Sequence, residues 1–106
     1  MKANNGAMEH HVYFWLKEEK KDATSIAAFE QGLNELLKID QIASGLWGKS
    51  ADTPDRPVTD KSFDYAISLK FDSLDAHNVY QDHPDHHVFV NAFKDLWDKA
   101  LVMDVD

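Results

Sequence analysis

An α+β fold, with a four-stranded antiparallel sheet covered by helices on one face, is what this 106-residue sequence predicts. Three observations carry that expectation. Strand-like and helix-like periodicities follow one another in the order β-α-β-β-α-α-β. The clearest strand sets Phe63, Tyr65, Ile67, Leu69 and Phe71 against Asp64, Ala66, Ser68 and Lys70, the alternation of a sheet with one buried face. Late in the chain, Pro84 divides what would otherwise be one helix into two short ones.

Taken in order, residues 1–8 are small and polar and are expected to form a frayed, disordered tail ahead of a single domain at 9–106. From His10 to Leu16 the aromatic and β-branched run His-His-Val-Tyr-Phe-Trp-Leu reads as a strand. One of its faces carries His10, Val12, Phe14 and Leu16, the other His11, Tyr13 and Trp15. Both are substantially apolar, and one helical layer covers only one of them, so the second points to a partner sheet. Asp22, Thr24 or Ser25 then caps a helix of about four turns whose stripe is Ile26, Phe29, Leu33, Leu36 and Leu37. Residues 42–50 read as a second strand in which Gly45 and Gly48 mark a bulge or a close backbone approach. Residues 51–61, with two prolines, form a long loop expected to fold over a pocket or a partner.

After the strand at 63–71, Ser73 caps a short helix from Leu74 to about Gln81. A further helix starts with Pro84 in its first position, where the missing N–H is no loss. Its buried stripe is Phe89, Phe93, Leu96 and Trp97, and residues 100–105 form the last strand. The whole is the split βαβ, or ferredoxin-like, order.

Composition bounds the function. The net charge of −8, with no basic cluster beyond Lys20-Lys21, argues against nucleic-acid binding, because phosphates demand clustered Lys and Arg. The absence of cysteine removes disulfides and thiolate metal sites and fits a reducing, cytoplasmic location. No stretch is long and apolar enough for a membrane span, and the first residues lack the apolar run of a signal peptide.

The chemistry concentrates at Tyr80-Gln81-Asp82-His83-Pro84-Asp85-His86-His87-Val88-Phe89-Val90. Helical stepping puts His86 in the middle of the Phe89, Phe93, Leu96, Trp97 stripe and His87 at its edge, so His86 faces the sheet from the first turn of a helix. The helix dipole there disfavours imidazolium and favours a neutral ring, competent as a base or hydrogen-bond partner. A core histidine satisfied by one neighbour is the plainer alternative. Tyr80 lies on the inward side of the preceding helix with Leu74, His77 and Gln81; its hydroxyl either meets His86 or sits at the surface. His10 is in phase with the buried face of the first strand and enters the same compartment at its rim. Asp82, His83, Asp85, His86 and His87 also read as metal ligands, but Pro84 places His83 at the helix cap, off the i, i+4 face it would share with His87. No metal or cofactor is therefore expected, and the two aspartates offset the helix dipole.

With these residues in view, Tyr-x-x-His-Pro-x-His-x-x-Phe at Tyr80 to Phe89 resembles the signature of the stress-responsive A/B barrel (Dabb) domain family. The His10-x-Val12-x-Phe14-x-Leu16-Lys17 strand, Trp47-Gly48-Lys49 and the short closing strand match as well, over roughly residues 9–105. The resemblance implies a ferredoxin-like subunit whose sheet pairs with a second copy, a homodimeric α+β barrel, and a member without an assigned reaction. It implies a small apolar or aromatic ligand held between sheet and helices by His10, His83 and Phe89. It also implies an alternative shared with plant polyketide cyclases, intramolecular aldol closure promoted by Tyr80 and His86. A purely structural dimer is the third reading. The proline-containing loop and the acidic Asp82 and Asp85 depart from the family's pattern.

Overall fold

The computed structural model describes residues 6–106. Its elements are β1 (Met8–Leu16), α1 (Ala23–Leu36), β2 (Ser44–Lys49), β3 (Tyr65–Phe71), α2 (Leu74–Asp82), α3 (Pro84–Phe93) and β4 (Trp97–Val105), with single 3₁₀ turns at Glu18–Lys20 and Lys94–Leu96. The strands form one antiparallel sheet in the order β2-β3-β1-β4. This is the expected ferredoxin-like arrangement, with β1 and β3 central.

The alternation along β1 is complete: Met8, His10, Val12, Phe14 and Leu16 are buried and the residues between them are half-buried. Most of the expected tail lies outside the described residues. Within them the strand begins at Met8, two residues earlier than expected, because Met8 pairs with Phe71 and its side chain is buried in the core. Tyr65, Ile67, Leu69 and Phe71 continue the same inner face on β3. Against it α1 lays Phe29, Leu33 and Leu36, and α2 and α3 add Tyr80 and Phe89. Asp22 caps α1 by accepting from the Ser25 N–H at 3.0 Å, a contact of the kind that contributes about 1 kcal/mol. Ser73 does the same for α2 through the Ala76 N–H.

Three expectations are corrected. Phe63 does not extend β3 on the inner face; it packs edge-on against Tyr13 at 5.2 Å and so lies on the opposite side of the sheet. Trp97 belongs to β4, which starts there and not at residue 100. Trp97 pairs with Leu16, and the Lys17 N–H donates to the Leu96 carbonyl at 2.9 Å, so sheet hydrogen bonds claim the chain before the helical stripe is complete. No bulge interrupts the β2–β3 ladder. Only Gly45 is a close approach, where a Cβ would meet Leu69 Cδ2 at 2.8 Å and Leu37 Cδ2 at 3.1 Å; at Gly48 a Cβ would meet open space. Within the loop 51–61, Lys61 donates to the Thr53 carbonyl at 2.5 Å and pairs with Asp55 at 2.9 Å.

The sheet's second face is partly covered from within the chain. Trp15 donates its indole N–H to Ser62 Oγ at 2.9 Å, and Lys99 Nζ lies 4.7 Å from the centre of its ring. Leu46 and Met103 on this face stay exposed, at 64% and 53%.

Gly32 on α1 tests the packing between α1 and α3. A Cβ there would fall 2.2 Å from the Phe93 ring, which is itself wedged against Phe29 and Phe89. Although alanine is the better helix former by about 1 kcal/mol, Gly32→Ala is expected to lower unfolding free energy by about 1–3 kcal/mol through overpacking. Urea denaturation reads the difference, and a variant more stable than the parent would show that the Phe93 ring is free to move aside.

Candidate functional site

His83 sets the geometry of the site. Preceding a proline, it is held in extended backbone, φ −66° and ψ 137°, and so ends α2 and begins α3 in one residue. Its Nδ1 accepts from the Asp85 N–H at 3.0 Å, which completes the cap. The turn brings the last turn of α2 against the first turn of α3, and the Tyr80 and His86 rings meet with centroids 4.8 Å apart.

A cavity of about 150 Å³ opens between these helices and the inner face of β1 and β4. Among its walls are His10, Tyr80, His86, Phe89 and Trp97. Four of the five residues expected at a site thus share one space. His83 does not line it; its ring is engaged at the helix cap. A larger groove of about 540 Å³ runs between α1 and α3, and of the expected residues it holds only Phe89.

Burial dominates the electrostatics. The Tyr80 side chain is almost fully enclosed, which pushes its hydroxyl well above the usual phenol range, so it stays protonated and is able to donate a hydrogen bond. His86 is depressed below the ordinary imidazole value of 6.5, chiefly by burial and then by its neighbour His87, so it stays neutral. His86 Nδ1 is buried and makes no hydrogen bond among the described residues, while the Gln81 backbone beside the ring acts against the depression. Trp97 Nε1 is likewise buried and unpaired. Such orphaned groups cost about 1–3 kcal/mol each, a cost that a bound polar group or water relieves.

His10 is also depressed by burial, while the Asp104 carboxylate, 2.5 Å from its Nδ1, acts in the opposite direction. Around it stand Phe71, His77 and Tyr80, with ring centroids 6.4, 4.9 and 5.9 Å away. On α2, His77 and Tyr80 face inward as expected, whereas Leu74 is 46% exposed. Asp82, His83, Asp85, His86 and His87 do not assemble into a three-ligand cluster among the described residues.

Sequence reasoning missed Trp97 and Asp104 as members of this neighbourhood. Strand alternation groups Asp104 with Ala100 and Val102, but only the register that sets Asp104 opposite His10 makes it a partner.

A family described as Stress responsive A/B Barrel Domain matches residues 8–106. A stress-response A/B barrel domain-containing protein of Arabidopsis thaliana is 29% identical over 85 residues, covering 79% of this chain and 75% of its own. Olivetolic acid cyclase of Cannabis sativa is 22% identical over 98 residues, covering 92% and 94%. Among solved structures, a dimeric ferredoxin-like protein of unknown function from Thermobifida fusca superposes with a TM-score of 0.74 at 18% identity, covering 92% of this chain and 88% of that one. No helix among the described residues is long and apolar enough to cross a membrane.

The state of His86 predicts a pH dependence. A histidine held below 6.5 in the fold but ordinary when unfolded lets the unfolded chain bind more protons as pH drops, so stability is full above about 6.5 and falls on acidification through that value. The cationic forms of His87, His10 and His77 act in the same direction. Urea unfolding at pH 7.5, 6.5 and 5.5 is expected to show this slope, shallower in His86→Gln. Identical slopes in parent and variant would place the ring in water.

Proposed function

Because the chain belongs to the stress responsive A/B barrel domain family, we propose that it works as a small-molecule-binding member of that family, holding one compact apolar or aromatic molecule between sheet and helices. The supporting observation is the cavity where Tyr80, His86, His10 and Phe89 meet. At about 150 Å³ it matches the space a single benzene-sized ring occupies in an apolar protein cavity. Val12, Phe14 and Val90 supply apolar walls, while the Tyr80 hydroxyl and His86 supply the few polar groups that fix a ligand's orientation.

We further propose a homodimer formed through the second face of the sheet. Exposed Leu46 and Met103 flank half-buried Tyr13, an apolar strip that a second copy's sheet would bury. The dimeric neighbour of the same fold accords with this. A cytoplasmic location is part of the same proposal and rests on the absence of cysteine.

An enzymatic second reading is favoured by one observation, the ring contact of a protonated tyrosine with a neutral histidine. In the intramolecular aldol closure that the family resemblance implies, the neutral His86 ring would take a proton from the carbon alpha to a carbonyl. The Tyr80 hydroxyl would hydrogen-bond the oxyanion that forms.

Titration with single-ring phenols and aromatic acids, followed by fluorescence of Trp97 in the cavity wall, tests the binding reading. Ala100→Trp, which fills the cavity, is expected to abolish binding, and His86→Ala to weaken it about tenfold, near 1.4 kcal/mol. Undiminished binding in Ala100→Trp would move the ligand elsewhere. Sedimentation should give twice the chain mass, reverting to the monomer in a Leu46→Glu/Met103→Glu variant.

A further inference from the structure

Three ligand-type side chains that the binding reading leaves largely unused converge around His10. His10 comes from β1, His77 from α2 and Asp104 from β4, and their donor atoms all lie within 4.8 Å of one another. We propose that His10, His77 and Asp104 bind a single divalent transition-metal ion of the zinc type.

The hydrogen bonds around the cluster already orient it. His77 Nδ1 lies 3.1 Å from Asn78 Oδ1, a carbonyl oxygen that can only accept, so Nδ1 carries the proton and Nε2 the lone pair. The Gln81 side-chain amide stands 3.4 Å from that Nε2, as a donor approaching an acceptor does. A histidine whose second nitrogen is anchored to an oxygen acceptor is the usual arrangement of a metal ligand. On the other side, His10 Nδ1 and Asp104 Oδ1 share a proton across 2.5 Å. A cation replacing that proton needs the pair to open to about 3.3 Å, the separation of neighbours in a tetrahedron of bonds about 2.0–2.2 Å long. Asp104, with its side chain 44% exposed, can swing outward by that amount, whereas buried His10 is held in place.

The donor set selects the class of ion. Two imidazoles and one carboxylate suit zinc, cobalt, nickel or copper, while magnesium and calcium prefer all-oxygen shells. Among the described residues no lysine or arginine pairs with Asp104, so no internal cation competes for it. Three protein ligands leave a fourth position open to water. Its ligands are not those of the His83–His87 segment, where the sequence had drawn attention to metal chemistry, although His10 shares a cavity with His86.

The test uses the full chain, stripped with a chelator and titrated with zinc against a chromophoric competitor, then with cobalt. The expected result is one zinc per chain and the visible d–d bands of four-coordinate cobalt, both lost or weakened at least tenfold in His77→Gln and in Asp104→Asn. A His87→Gln control, on the exposed edge of α3, is expected to bind as the parent does. Because a variant can fail by misfolding, ring-nitrogen NMR of the parent supplies the second measurement, and zinc should move the His10 and His77 resonances. No binding, equal binding in the two ligand variants, or shifts confined to His83, His86 and His87 would each overturn the proposal. The aromatic-ligand titration is run in chelator, so its outcome is read separately from that of the metal.

Discussion

The peptide bond between His83 and Pro84 is the constraint on which the site depends. Proline excludes helical backbone at the preceding residue, so α2 cannot run on into α3. The cost of the break is offset locally, since His83 caps the new helix with its own ring and Pro84 lacks the N–H that would go unpaired there. The change of direction turns Tyr80 and His86, six residues apart, into ring-to-ring neighbours under the sheet. Continuous helix would have carried them to different faces, since six residues is well over one and a half turns.

A second constraint comes from the sheet. β1 is central, hydrogen-bonded to β3 on one side and β4 on the other, and its alternation decides what meets the helices. His10 is a buried polar side chain among the apolar ones of the core, and it is held there by Asp104 across the β1–β4 ladder. A buried imidazole without such a partner would bear the full desolvation cost of its N–H groups. The same alternation puts Tyr13 and Trp15 on the other face, where Phe63 and Ser62 shelter them and Leu46 and Met103 remain in water. One strand thus lines a cavity on one side and carries a partly exposed apolar surface on the other.

Local chemistry made most of the elements legible. Asp22 and Ser73 cap as their side chains dictate, Phe29, Leu33 and Leu36 face the sheet as their spacing dictates, and His86 turns inward as its phase with Phe89 dictates. The failures share a cause. Phe63 keeps the alternation of β3 yet lies on the other face, because the chain leaves the ladder before Tyr65. Trp97 fits the helical period of α3 yet pairs with Leu16, because sheet hydrogen bonds outcompete one more helical turn. His83 carries a ligand's side chain yet uses it on backbone. In each case the residue type and period are compatible with two partners, and a contact distant in sequence chooses between them.

Unaided, the sequence determined the order of elements, the buried stripe of each, the break at Pro84 and the inward direction of His86, all of which follow from steric limits and periodicities acting over a few residues. Tertiary structure alone decided that His10 stands between His77 and Asp104, that burial holds His86 below the ordinary imidazole range, and that a cavity of about 150 Å³ remains where those groups meet. Register, desolvation and empty volume are properties of surfaces brought together from opposite ends of the chain, and no local pattern encodes them.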